Sequence, residues 1–96
     1  MNSNDIIHLL KERRKELDKF SVKTLSIFGS VARNEASPGS DVDVLVEFHG
    51  PATFDGYMDL KFFLEDLFGC PVDLVTEKAL KPRLRPSVEK EMVRVA

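Results

Sequence analysis

The sequence predicts an α/β fold of the α+β kind: a small mixed β-sheet with helices packed mainly on one side. Three observations carry this. Strand-period runs occur at 22–28, 42–48 and 72–75, helix-period stretches separate them, and Gly or Pro stands near most junctions. The resulting order is αβαβαβα, which calls for one sheet and a helical layer. Ninety-six residues with a 43% apolar share suffice for one ordinary core, so residues 1–96 are expected to form a single domain.

Taken in order, residues 5–19 read as a helix. Ile6, Leu9, Leu10 and Leu17 fall near one stripe, and the charges of 11–15 lie mostly opposite. Ser3 or Asn2 supplies the cap. Val22 to Phe28 alternates, is rich in β-formers and ends at Gly29. A short helix over 30–35 follows, then the turn-rich Ala36-Ser37-Pro38-Gly39. In the strand at 42–48, Val42, Val44, Val46 and Phe48 point to one face, while Asp41, Asp43, Leu45 and Glu47 point to the other. The apolar face should meet the helices and leave the carboxylates toward a cleft. His49-Gly50-Pro51 breaks that strand, and residues 54–68 form a long helix stopped by Gly69 and Pro71. Val72-Asp73-Leu74-Val75 is a third strand, and 80–93 a last helix interrupted early by Pro82 and Pro86.

Composition narrows the function classes. Net charge is −2 and the isoelectric point near 5.6, which argues against non-specific binding to a nucleic-acid backbone. Cys70 is the only cysteine, so no intrachain disulfide forms and a reducing, cytoplasmic setting is the simplest reading. Between Gly69 and Pro71, Cys70 reads as a small packing residue rather than a nucleophile. No apolar stretch approaches a membrane span, and the polar opening MNSNDIIHLLKERRKEL is not a signal peptide.

The chemistry concentrates in IFGSVARNEASPGSDVDVLVEF, where Gly29-Ser30 is followed after ten residues by Asp41-Val42-Asp43. Gly29 offers no Cβ and free access to positive φ, so a phosphate can approach the backbone closely. Ser30 adds a hydroxyl and an amide at the start of a helix. Without a ligand, this is a plain strand-to-helix turn with a serine cap. Asp41 and Asp43, two apart on a strand, project the same way with Cα atoms about 7 Å apart. Carboxylates so placed repel unless a cation offsets them, and a divalent ion does so best. The bland alternative is a solvated strand edge. Asp73 stands in an apolar strand with no local reason for a charge: either a buried Lys or Arg pairs with it, or it is a third carboxylate aimed at the same cleft. Arg33 is equally suited to reach a triphosphate or to pair with Glu35 or Glu47.

Other candidates are weaker. Lys78, Lys81, Arg83 and Arg85 form a basic run that grips a phosphate or an acidic partner, or simply faces water. His8 and His49 have no neighbours at metal-ligand spacing. Phe54, Phe62, Phe63 and Phe68 read as core before base-stacking, with one or two available to face another chain.

Gly29-Ser30, the ten-residue gap, Asp41-x-Asp43 and Val72-Asp73-Leu74-Val75 together resemble the nucleotidyltransferase superfamily that includes DNA polymerase beta. The short length, SDVDVLVEF and the ending DLVTEKALKPRLRPSVEKEMVRVA resemble its minimal nucleotidyltransferases (MNT), antitoxins partnered with HEPN-domain toxins. The resemblance implies the nucleotidyltransferase fold. It implies that Ser30 binds the triphosphate on a turn shaped by Gly29, that Asp41 and Asp43 hold Mg2+, and that Asp73 completes the catalytic and metal-binding set. It further implies transfer of AMP from ATP to a tyrosine of the HEPN partner, neutralising that partner's RNase activity within a hetero-oligomer. The chain shows no second domain for a nucleic-acid primer, so no direct nucleic-acid substrate is expected. Two alternatives stay open: a non-catalytic module neutralising its partner by stoichiometric contact, which the acidic balance and the Phe-rich 54–68 helix suit, and nucleotidyl transfer to a small molecule.

Overall fold

The computed structural model describes residues 2–35 and 41–96. The turn expected at Ala36-Ser37-Pro38-Gly39 lies outside them. The elements run α1 (Ser3–Glu12), α2 (Arg14–Lys19), β1 (Val22–Phe28), α3 (Gly29–Ala32), β2 (Val42–Phe48), α4 (Phe54–Phe68), β3 (Val72–Thr76), a 3-10 turn (Glu77–Ala79), α5 (Arg85–Glu91) and β4 (Val93–Arg94). The strands form one sheet in the order β3-β2-β1-β4. β1 pairs antiparallel with β2 and β4, whereas β2 and β3 run parallel. The sheet is therefore mixed, as the sequence predicts.

Asn2 caps α1 with a full capping box, its side chain accepting from the Asp5 N–H while the Asp5 side chain accepts from the Asn2 N–H. The single helix expected over 5–19 is broken at Arg13, whose N–H reaches back only three residues to the Leu10 carbonyl, 3.1 Å away. All of residues 11–15 are exposed, so no packed side chain holds the helical register through the break. α4 starts at Thr53, whose hydroxyl accepts from the Gly56 N–H, and ends at Gly69 in the left-handed region with φ 69°. Its Leu60, Leu64 and Phe68 are buried, at helical spacing, against the sheet.

Cross-strand pairing sorts the two faces. Ile27 pairs with Val44 and Leu25 with Val46, while Val44 pairs with Leu74 and Val42 with Val72. These residues join Ile6, Leu10, Leu17, Leu60 and Leu64 in the main core. Fully burying a leucine stabilises the fold by roughly 1.5–3 kcal/mol, so this face dominates the fold's hydrophobic stabilisation.

The opposite face carries Ser26, Phe28, Asp43, Leu45 and Asp73. It is partly roofed: Leu45 is buried beneath Leu80 and Val88, with Phe28, Val75 and Met92 around them. α5 is thus the exception to the one-sided packing. It is shorter than the expected 80–93 helix because Pro86 sits within its first turn, where a missing N–H costs nothing. The chain then leaves α5 as the unexpected strand β4, with Val93 opposite Ile27 and Arg94 opposite Ser26.

Candidate active site

Strand register gathers the predicted residues at one end of the sheet. Phe28 pairs with Asp43, and Asp43 pairs with Asp73. Gly29 follows Phe28 directly, so the Gly-Ser turn, Asp43 and Asp73 stand side by side across β1, β2 and β3. Asp41 lies exposed one residue before β2. The Val42 N–H donates to the Pro71 carbonyl at 3.0 Å, which fixes the start of β2 beside the start of β3.

Gly29 has φ +71°, and any Cβ here would overlap Asp43 Oδ2 and stand 3.0 Å from Asp43 Cγ. Glycine is required twice over, by the backbone conformation and by the carboxylate pressed against it. Burial, first, and then the charges of Asp73 and Asp41 push the Asp43 carboxyl above its ordinary pKa, with Arg33 opposing and Glu91 adding to the rise. Both neighbouring aspartates are therefore close enough to repel it. The alternative of Asp73 buried against a base does not hold: it is exposed and in no ion pair among the described residues.

Among the described residues, no three His, Cys, Asp or Glu side chains form a closed metal cage. Magnesium does not require one. It binds through one or two carboxylates and completes its shell with water and substrate phosphates. A half-buried carboxylate raised in pKa by burial and then by two like charges fits such an open site, because an incoming cation would offset both.

Arg33 resolves toward ion pairing. Its Nε donates to Glu35 at 3.2 Å and its Nη1 to Glu91 at 2.7 Å. Glu47, its other sequence candidate, pairs instead with Lys23 at 3.7 Å. Glu91 also accepts from the Gly29 N–H at 3.2 Å. Arg33 above all, and the Gly29 amide with it, hold the Glu91 carboxyl below its ordinary pKa despite some burial. Sequence reading missed Glu91, since no local spacing links it to a turn 62 residues away.

In the basic run, Arg85 braces the 3-10 turn to α5 through Glu77 and Glu89. Lys78, Lys81 and Arg83 are exposed. A cleft of about 510 Å³ opens at the opposite end of β2 and β3, lined by residues including Lys23, Glu47, His49 and Lys78. It lies away from the aspartates.

A mixed sheet presenting a Gly-Ser turn and three acidic strand-start residues on one face defines the class of nucleotidyl-transfer proteins. The chain belongs to the nucleotidyltransferase domain family, whose match spans residues 7–95. It is 38% identical over 92 residues to protein adenylyltransferase MntA of Thermococcus cleftensis, covering 95% of this chain and 93% of that one. A solved structure of a candidate minimal nucleotidyltransferase superposes with a TM-score of 0.83 at 35% identity, over 97% of this chain and 95% of that chain. At 17% identity the fold alone is shared with a chain from the complex of a tri-AMPylated Shewanella oneidensis HEPN toxin with MNT antitoxin. There the TM-score is 0.68, covering 94% of this chain and 71% of that one. No helix among the described residues is long and apolar enough to cross a membrane.

Proposed function

We propose that the chain is a magnesium-dependent protein adenylyltransferase that moves AMP from ATP to a tyrosine of a HEPN-domain RNase toxin, acting as its antitoxin. The observation that carries this reading is the register that sets Asp43 beside Asp73 and against Gly29. The 38% identity to a protein adenylyltransferase directs the AMP toward a protein acceptor. The fold shared with a chain of an MNT–HEPN complex suggests which protein. A hetero-oligomer in a reducing cytoplasm suits a chain with a single cysteine.

In this mechanism Gly29 lets the polyphosphate approach the backbone, and the Ser30 hydroxyl and amide bind its oxygens. Asp41 and Asp43, with Asp73, would hold Mg2+, which when bound neutralises phosphate charge and the departing pyrophosphate. Asp73 accepts the proton of the tyrosine hydroxyl. The phenolic oxygen attacks the α-phosphorus in line, the bond to the bridging oxygen of pyrophosphate breaks, and the products are tyrosyl-AMP and pyrophosphate. The test mixes the chain, ATP, magnesium and a candidate HEPN-domain partner from the same organism, followed by intact-mass measurement. Gain of AMP-sized increments on the partner is expected. No gain with a correctly folded, RNase-active partner would overturn the reading, and protection surviving in Asp43→Asn would favour stoichiometric neutralisation.

A further inference from the structure

Glu91 lies at the end of α5, two residues before β4 pairs with β1 at Ile27. That short crossing delivers its carboxylate to the Gly-Ser turn. There Oε1 takes the Gly29 N–H at 3.2 Å and Oε2 takes Arg33 Nη1 at 2.7 Å. An amide and a guanidinium converging on one carboxylate resemble a receptor for phosphate oxygens. Both groups are the ones a polyphosphate entering at Gly29 would use.

Glu91 is not needed to build the turn. The Arg33 N–H donates to the Gly29 carbonyl at 3.2 Å, Asn34 N–H to Val31 at 3.0 Å and Glu35 N–H to Ser30 at 2.8 Å. The Asn34 side chain is fixed by the Ser3 N–H and hydroxyl, both at 3.0 Å. The carboxylate therefore adds charge to a turn already closed by its own backbone. That charge is unfavourable for a polyanion, since Asp41, Asp73 and Glu91 already act on Asp43 with Arg33 as the one opposing cation named among the described residues, and Arg33 is itself paired with Glu35 and Glu91.

We propose that Glu91 is a positioning residue that acts as an internal stand-in for phosphate, holding the Gly29 amide and Arg33 until the triphosphate displaces it. The inference rests on the nucleotide-binding reading above and names what competes at that site. The Gly29 N–H carries one proton and cannot serve Glu91 and a phosphate oxygen together at full strength. Nucleotide binding therefore includes breaking two charge-assisted contacts, made by a Glu91 side chain that is partly exposed.

Calorimetric titration of wild type and Glu91→Gln tests this with three probes in magnesium buffer: ATP, inorganic tripolyphosphate and adenosine. Gln keeps the size but loses the charge, so ATP and tripolyphosphate should bind ~1.5–5-fold more tightly, the value of one released ion pair near a surface. Adenosine, which lacks phosphates, should be unchanged. A merely structural brace predicts the opposite sign, so equal or weaker ATP binding by a folded Glu91→Gln overturns the proposal. If neither protein binds ATP or tripolyphosphate, the nucleotide reading itself falls. A measurement on wild type guards against an unfolded variant: saturating ATP should shift the Gly29 amide and Arg33 Nη resonances, the two groups that Glu91 holds. A Gly29 amide unmoved at saturation also overturns the proposal.

Discussion

Replacing Asp43 with Asn should stabilise the metal-free fold, although it removes a residue central to the proposed chemistry. Asp43 and Asp73 are register partners on neighbouring strands, so their Cα atoms stand about 5 Å apart, a spacing that sets the scale for their charges. Two unit charges at that distance repel by about 3 kcal/mol at an effective dielectric of 20 and about 1 kcal/mol in water. Asp73 is exposed, so the lower bound applies, and Asn at 43 should gain about 1 kcal/mol. In a domain of this size that is a melting-temperature rise of ~4–8 °C. The pH dependence follows from the raised Asp43 pKa, caused first by burial and then by Asp73 and Asp41. A carboxyl raised in the folded state favours folding while protonated, and that contribution is lost as pH rises through its folded pKa. The advantage of Asn should therefore be full at neutral pH and vanish below about pH 4, near the ordinary aspartate value. On the proposed magnesium site, added magnesium should narrow the gap from the other side, because it would bind and stabilise the wild type preferentially. Differential scanning calorimetry from pH 3.5 to 8, with and without magnesium, reads all three effects. A neutral-pH melting temperature for Asp43→Asn at or below wild type, or a gap indifferent to pH, would refute the electrostatic account.

Three further outcomes follow from the same geometry. Gly29→Ala should destabilise by about 2–3 kcal/mol in urea denaturation, combining left-handed strain with the clash on Asp43. In an Asp43→Ala background, where only a Cβ at 3.3 Å remains, the cost should fall toward the ~1 kcal/mol of backbone strain alone, and an unchanged cost would remove the contact from the explanation. Asp73→Asn should slow AMP transfer by about 10²–10⁴-fold, as loss of a proton acceptor does, while nucleotide binding measured by calorimetry changes far less. Leu64→Ala, at a fully buried site, should cost about 2–5 kcal/mol. Phe62→Ala, at 57% exposure, should stay within about 0.5 kcal/mol, and a larger loss would place Phe62 in the core.

The sequence carried the strands at 22–28 and 42–48 and the helix at 54–68 to the residue, because each is long, periodic and bounded by Gly or a capping side chain. It also singled out Gly29, Ser30, Asp41, Asp43 and Asp73 as candidate site residues. What it could not carry was adjacency. That Asp73 lies next to Asp43 depends on β2 and β3 being parallel neighbours in register, and local periodicity says nothing about strand order. β4 was hidden for a different reason. Two residues cannot show alternation, and it forms only because β1 has a free edge to pair with. The break at Arg13 was hidden because five consecutive exposed residues leave hydrophobic spacing silent about the backbone beneath them.

One hint was in plain view. Leu45 falls by alternation on the same face as Asp43 and Glu47, and a leucine there is out of place if the face is simply a wet cleft. The structure supplies its cover in Leu80 and Val88. That contact holds α5 over the carboxylate face, and the residues that follow inherit their positions from it. Val88 anchors the helix, the Met92 N–H closes its last turn on the Val88 carbonyl at 2.8 Å, and β4 locks onto β1 one residue later. Glu91, between anchor and lock, has little choice but to meet the Gly-Ser turn. A packing requirement at one leucine thus determines which side chain faces the Gly-Ser turn, linking core formation directly to the electrostatics of the site.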